Sequence, residues 1–316
     1  MKLSDMRYYA SLGNPKNVYN LSTEEIFENL HRQGIVFDNL YQELEMNTRY
    51  VDTHEDISHT SDVVSLHSHS FYEILYCKSG NVQYLLGSER YRLQRGDIVI
   101  VPPGVSHRPL FLEELVEPYH RFVIWVSTDF IEVARTLGAD FSDCSRPHLL
   151  RTGGTQWEYL LDYFRRADQE YTNQSMNWQT CVFGCTLELF VHLERALTSQ
   201  LDCIPIAEPK ELLDEVLAYI EQNLSDKITL EQTARRFLVS SSTISQLFRN
   251  KMGVSFYRCV TQHRLIAAKT EILKGQPLEQ IYQQVGFSDY STFYRAFKRE
   301  YGISPRQFRK LQGMEE

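Results

Sequence analysis

The sequence predicts an α+β protein of two domains, in which an N-terminal β-barrel with following helices precedes a C-terminal all-α domain. Three observations lead to this prediction: a series of short strands between residues 64 and 112, a repeated helical segment in the last hundred residues, and an aperiodic linker containing Pro205 and Pro209. We therefore expect one domain over residues 1–205 and a second over residues 206–316.

Length and composition are those of a globular chain. Its 316 residues, 42% of them hydrophobic, can supply a buried core for each domain. No apolar run approaches the roughly 18 residues of a membrane span, and the start MKLSDMRYYA has no signal-like apolar stretch. We therefore expect a cytoplasmic protein that does not associate with a membrane.

Charge is distributed unevenly between the two predicted domains. Residues 208–316 contain 16 Lys and Arg against 13 Asp and Glu, whereas the rest of the chain contains 17 basic and 28 acidic residues. This asymmetry favours a polyanionic partner for the C-terminal domain alone.

Histidines at alternate positions mark the predicted barrel. In the stretch HSHSFYE, His67, His69 and Glu73 all fall on odd positions, and alternate side chains of a strand share one face. We expect these three side chains to point into the barrel.

The same segment resembles a cupin barrel. The pattern HxHxxxE is followed by Gly80, then by Gly96 and by PPGVSH ending at His107, and it departs from the family at Phe111, where asparagine is frequent. The resemblance implies a metal-ligand set, which would comprise His67, His69, Glu73 and His107.

Two interpretations of these side chains stay open. Three imidazoles and a carboxylate suit Fe(II), Mn, Ni or Zn, which would favour a metalloenzyme. The same groups also hydrogen-bond polar organic ligands such as sugars. We expect no catalytic residue and no cofactor, with a divalent transition metal as the alternative, and an effector site formed by His67, His69, Glu73, His107 and Arg108.

A duplicated unit is the most specific pattern in the chain. The segment beginning LEQTARRF at Leu230 returns as LEQIYQQV at Leu278, and each copy predicts a short helix, a turn and a second helix, over about 228–252 and 276–301. A helix free of Gly and Pro, from Phe256 to Leu273, joins the copies. This arrangement predicts two helix-turn-helix units.

The second helix of each unit has one apolar and one polar face. Ser240 and Ser288 are the expected N-caps. Side chains on the polar faces carry the donors and acceptors that base edges and phosphates require. The candidate DNA-binding residues are Ser242, Ser245, Gln246 and Arg249 in the first unit and Ser291, Thr292, Arg295 and Lys298 in the second.

Two further features of this domain are Arg264, Leu265, Ala268 and Leu273 in the joining helix and the segment GFSDYSTFYRAFKREYGISPRQFR over 286–309. On these residues the domain resembles the DNA-binding domain of the AraC/XylS family of transcriptional regulators. One departure is Tyr282, where the family has a small residue. The resemblance implies that Ser242, Ser245, Gln246, Ser291, Thr292 and Arg295 face bases.

The resemblance also implies a cupin-like sensor that responds to a small molecule, double-stranded promoter DNA as partner, and a homodimer. The long predicted helix NWQTCVFGCTLELFVHLERAL could cover the barrel or form the dimer contact. Two rival hypotheses are a metal-dependent cupin enzyme fused to a DNA-binding tail, and a barrel that serves only as a dimerisation scaffold.

Overall fold

The computed structural model describes residues 46–311, apart from 60–63, 65, 112–114 and 200–210. The predicted domain boundary at residue 205 lies outside the described residues. Strands dominate the N-terminal half: β1 Val51–Ser58, β2 Tyr72–Ser79, β3 Gln83–Leu86, β4 Glu89–Arg92, β5 Asp97–Val101, β6 His107–Leu110, β7 Tyr119–Val126 and β8 His148–Arg151.

These strands form two antiparallel sheets, as expected of a barrel-like domain. One has the order β1-β7-β2-β5-β8 and the other the order β4-β3-β6. The side chains that fill the interior come from alternate positions, including Leu75, Val99, Val123 and Trp125. The predicted β-rich N-terminal domain is thus confirmed.

Helices cover the outer face of the larger sheet. They are α1 Thr128–Thr136, α2 Leu161–Asn173 and α3 Trp178–Thr198. Ile74, Ile98 and Ile124 of the sheet are fully buried in the same apolar cluster as Phe164 of α2 and Phe190 of α3. The long helix α3 therefore covers the barrel, which is one of the two roles expected for it, the other being a dimer contact.

The C-terminal half is helical: α4 Leu212–Gln222, α5 Leu230–Arg236, α6 Ser241–Leu247, α7 Phe256–Leu273, α8 Leu278–Gln284, α9 Tyr290–Tyr301 and α10 Pro305–Leu311. A π-helical turn over Phe248–Met252 extends α6. Helices α5–α6 and α8–α9 are the two predicted helix-turn-helix units, and α7 has the predicted ends. None of the described helices is both long and apolar enough to cross a membrane.

Helix α7 separates two apolar cores, one for each unit. Cys259 and Val260 lie in the first core with Ile244 and Phe248. Leu265, Ala268 and Ile272 lie in the second core, where Phe293 and Phe297 of α9 are fully buried. The positions expected to face inward in α6 and α9 therefore do so.

The two halves of the chain share one of these cores. Leu66, Leu85 and Leu110 of the N-terminal domain belong to the apolar cluster of the first unit, beside Leu213 and Leu217 of α4. The outer face of the β4-β3-β6 sheet therefore packs against the first helix-turn-helix unit.

Candidate ligand site and nucleic-acid interface

The barrel interior brings together the side chains that the sequence pattern singles out. Glu73 is the second residue of β2, and His69 lies just before this strand. His107 opens β6 and forms an isolated backbone bridge with His67. Alternation along these segments directs His69, Glu73 and His107 inward, where all three are buried.

The three side chains form a compact cluster. His69 Nε2 lies 3.5 Å from Glu73 Oε2, and His107 Nε2 lies 3.6 Å from Glu73 Oε1. One ligand atom from each of the three residues lies within 4.8 Å of the others. His67 is half-buried beside them, with its ring centroid 4.3 Å from that of His107 and 6.2 Å from that of His69.

Backbone carbonyls set the tautomers of the two buried imidazoles. His69 Nδ1 lies 2.8 Å from the carbonyl oxygen of Phe71, and His107 Nδ1 lies 3.0 Å from that of Val105. Because a carbonyl oxygen can only accept, each Nδ1 carries a proton and donates it. The Nε2 atom of each ring faces Glu73, and both Nε2 atoms are buried without a hydrogen-bond partner.

Glu73 is an ionised carboxylate in this cluster. Burial alone raises the pKa of Glu73, but the electrostatic influence of the nearby His107 and His69 rings outweighs it and holds that pKa well below its ordinary value. Trp125 Nε1 donates to Glu73 Oε2 over 2.8 Å. Burial lowers the pKa of His69, which favours the neutral ring.

The geometry of the cluster fits a metal ion. Two ligand atoms that each lie about 2.1 Å from one tetrahedral ion are about 3.4 Å apart, close to the two nitrogen–oxygen distances of His69 and His107 to Glu73. A histidine whose second ring nitrogen donates to a carbonyl is typical of metal ligation. His69, Glu73 and His107 would hold the ion.

A second row of polar side chains was missed from the sequence. His54 and Asp56 of β1 and Arg121 of β7 lie on interior positions of their strands. Arg121 donates to Asp56 over 3.2 Å, and the His54 ring lies edge-on to that of Trp125, with centroids 4.7 Å apart. The signal was available in β1, VDTHEDIS, where every even position is polar.

Arg108 does not join the barrel interior, contrary to expectation. It follows His107 directly on β6, so its side chain points to the opposite face of the sheet. There its Nη2 donates to the carbonyl oxygen of Met252, over 3.1 Å. Arg108 is therefore buried against the first helix-turn-helix unit and not beside an occupant of the barrel.

The candidate reading face of the first unit is accessible. The Ser240 hydroxyl caps α6 by accepting from the amide of Thr243 over 3.0 Å, as expected. Ser242, Gln246 and Arg249 are exposed and Ser245 is half-buried. These polar side chains are free to approach a groove of DNA.

The second unit differs from expectation at its cap. Asp289, and not Ser288, caps α9, because its carboxylate accepts from the amide of Thr292 over 2.8 Å. The Thr292 hydroxyl also donates to this carboxylate, over 2.8 Å, which commits part of its hydrogen-bonding capacity. Three candidate DNA-binding side chains of α9 are exposed: Ser291, Arg295 and Lys298.

Comparison with known families matches both halves of the chain. A family model described as an AraC-like ligand binding domain matches residues 50–109, and a model of a helix-turn-helix domain matches residues 233–311. The first range contains His69, Glu73 and His107, and the second contains α6 and α9.

Curated relatives span most of the chain. An uncharacterized HTH-type transcriptional regulator, YfiF, of Bacillus subtilis is 27% identical over 78% of this chain and 79% of its own. The HTH-type transcriptional activator RhaR of Salmonella dublin is 24% identical over 79% of this chain and 88% of its own.

Solved structures with similarity to the chain include whole regulators and isolated domains. ToxT of Vibrio cholerae is 14% identical, with a TM-score of 0.35, and the match covers 84% of this chain and 99% of ToxT. The C-terminal domain of AraT, a response regulator of Geobacillus stearothermophilus, is 29% identical with a TM-score of 0.32, over 32% of this chain and 86% of its own.

Proposed function

Because the chain is a transcriptional regulator of the AraC family, which binds DNA and small-molecule effectors and is not an enzyme, we propose that its effector occupies the barrel at His69, Glu73 and His107. The effector changes how the two helix-turn-helix units bind promoter DNA. The observation that carries this proposal is the pair of buried, unpartnered Nε2 atoms, which lie 3.5 and 3.6 Å from the carboxyl oxygens of Glu73.

Unpartnered polar atoms in a buried site favour an occupant that supplies their missing interactions. A buried polar group without a hydrogen bond costs roughly 1–3 kcal/mol, and more when it is charged. A donor-rich ligand such as a sugar would satisfy His69, Glu73 and His107, and His67 lies close enough to His107 to take part.

A divalent transition metal is the occupant that the charges favour. In the described interior, the guanidinium of Arg121 donates to Asp56, whereas the only hydrogen bond that Glu73 accepts comes from the neutral Trp125 indole. A buried carboxylate without a cationic partner is costly. A metal ion bound by His69, Glu73 and His107 would supply the missing positive charge and hold open positions for an effector.

The effector proposal is tested by a ligand panel on the full chain. We expect one or more sugars, metabolites or metal ions to raise the thermal midpoint of the wild-type chain and to change its affinity for promoter DNA. Both responses should be lost in Glu73→Gln, which keeps the shape of the side chain but removes its charge. Both should be kept in the control Glu158→Gln, which changes an exposed residue just before α2. A panel that leaves the wild-type chain unchanged in both assays contradicts the proposal.

The DNA-binding proposal assigns a base contact to Arg295. Replacement by alanine should weaken specific binding by about 1–3 kcal/mol if the side chain contacts guanine, while binding to random duplexes changes little. Lys298→Ala should weaken both kinds of duplex and reduce the salt slope by about one.

Both variants are measured by fluorescence anisotropy at several salt concentrations, on a duplex selected by the wild-type chain from a random pool. Equal losses on the selected and the random duplex for Arg295→Ala would rule out the base contact. The other DNA-binding candidates are proposed on the same grounds: Ser242, Ser245, Gln246, Arg249, Ser291 and Thr292.

Action as a cytoplasmic homodimer completes the proposal. Tyr159, Tyr163 and His192 form an aromatic cluster on the outer side of α2 and α3, with the Tyr159 hydroxyl 3.0 Å from His192 Nδ1. Tyr159 is 42% exposed, which suits an aromatic contact with a second copy. Light scattering on the full chain and on Tyr159→Ala measures the oligomeric state.

A further inference from the structure

The two faces of strand β6 contact different parts of the protein. The His107 side chain points into the barrel cluster and is fully buried there. The next side chain, Arg108, points outward and is buried against the DNA-binding domain. A single peptide unit therefore joins the candidate ligand site to the helical domain.

Arg108 acts at the end of the first reading helix. Helix α6 continues through the π-helical turn Phe248–Met252 and stops at Gly253, whose φ of +67° is left-handed. The last carbonyl groups of a helix lack intrahelical partners and carry partial negative charge. The guanidinium of Arg108 donates to the carbonyl of Met252, so the N-terminal domain supplies the cap of this helix.

Other polar side chains also join the β4-β3-β6 sheet to the helical domain. Arg90 of β4 donates to both carboxylate oxygens of Asp214, over 3.1 Å each, and both side chains are almost fully buried. The Ser106 hydroxyl, directly before β6, donates to Glu221 of α4 over 3.1 Å. We call these pairs, together with Arg108 and Met252, the interdomain contact.

The interdomain contact involves the first unit and leaves its reading face free. Leu66, Leu85 and Leu110 are the N-terminal residues in the first core, whereas the core around Phe293 and Phe297 contains none among the described residues. The contact therefore reaches the C-terminal end of the α6 segment at Met252 and leaves the candidate DNA-binding side chains Ser242, Gln246 and Arg249 exposed.

We propose that β6 couples the barrel site to the first helix-turn-helix unit, so that a change at His107 alters the Arg108 cap and with it the order of the α6 C-terminus, while the second unit is unaffected. This inference rests on the proposed function for its regulatory meaning, and it concerns the regulation of that same site. Coupling of this kind is reciprocal. A change at His107 alters the hydrogen bond from Arg108 to Met252, and loss of that hydrogen bond in turn alters the site at His107.

The test is a double-mutant cycle on the full chain, measured by amide hydrogen exchange. Arg108→Gln removes the charged cap and should speed exchange in the segment 248–256 about tenfold, as the loss of a charge-assisted hydrogen bond predicts. Exchange in α9 should not change. The matched control is Arg165→Gln, which removes an exposed arginine of α2.

His107→Gln perturbs the site from inside the barrel and should also change exchange in 248–256. In the Arg108→Gln background it should add no further change, since the connection is already broken. Asp214→Asn, which weakens the contact far from β6, should likewise reduce the effect of His107→Gln. Thermal unfolding of each variant confirms that it is folded.

Additive effects of His107→Gln and Arg108→Gln, or an unchanged segment 248–256 in His107→Gln, would overturn the coupling. The cycle uses no ligand and no DNA, so its outcome does not depend on the identity of the effector. A panel without any active ligand would instead contradict the proposed function and leave a positive cycle standing.

Discussion

Replacing Gly286 by alanine is expected to destabilise the second helix-turn-helix unit by roughly 4 kcal/mol or more and to abolish specific DNA binding. Gly286 has a φ of +89°, and a Cβ built there would lie 1.9 Å from the carbonyl oxygen of Leu224 and 2.9 Å from Arg264 Nε. Arg264 donates to that same carbonyl, so neither group can move away without losing the bond.

Gly275→Ala is the matched control for this prediction. Gly275 also has a left-handed φ, of +78°, but a Cβ at this position would meet nothing within 4 Å. Its replacement should therefore cost only the backbone strain of about 1–2 kcal/mol. Urea unfolding and anisotropy on the selected duplex measure both variants, and equal losses of stability would show that the close approach at Gly286 contributes nothing.

Untagged chain purified without chelators is expected to contain about one divalent transition metal per molecule, and His69→Ala is expected to lose it. The reason is the cluster of two Nε2 lone pairs and one carboxylate within 4.8 Å, from which no single ligand can be removed without leaving an incomplete site. Elemental analysis of both proteins gives the stoichiometry.

A half-buried histidine elsewhere in the sheet provides the control for the metal prediction. His148→Ala of β8 should retain the metal, because His148 Nε2 faces the carbonyl oxygen of Asp143 and lies outside the cluster. Trp125→Phe should keep the site but weaken metal affinity about 10- to 100-fold, since it removes the hydrogen bond that orients Glu73. Wild-type chain without metal would direct the effector search to organic ligands.

Much of the barrel cluster could be predicted because strands alternate their side chains. Their even spacing of four residues by itself places His69 and Glu73 on one face of an extended segment. The same rule assigns Arg108 to the face opposite His107, yet the expectation grouped both residues because they are adjacent in the sequence. The even positions of β1, which include His54 and Asp56, also alternate toward the barrel interior. They match no known motif, so the sequence did not single them out.

The helical domain was predictable at the level of its elements. The repeat at Leu230 and Leu278 indicated both helix-turn-helix units, and the absence of Gly and Pro indicated α7 from Phe256 to Leu273. The predicted N-cap of α9, Ser288, is wrong by one residue. Ser288 and Asp289 are both good caps, and the choice of Asp289 depends on which oxygen reaches the amide of Thr292 in the folded turn.

By itself, the sequence determined the two-part organisation of this protein, the inward face of HSHSFYE and the two helix-turn-helix units, because these follow from periodicity and from repetition along the chain. Only the tertiary structure decided that His107 and His69 share Glu73, that Arg90 pairs with Asp214 across the domains, and that Arg108 caps the first reading helix. The physical reason is separation along the chain: Arg90 and Asp214 are 124 positions apart, and Arg108 and Met252 are 144 apart. No local preference encodes which residues meet at such distances, since the packing of the sheet against the helices sets it.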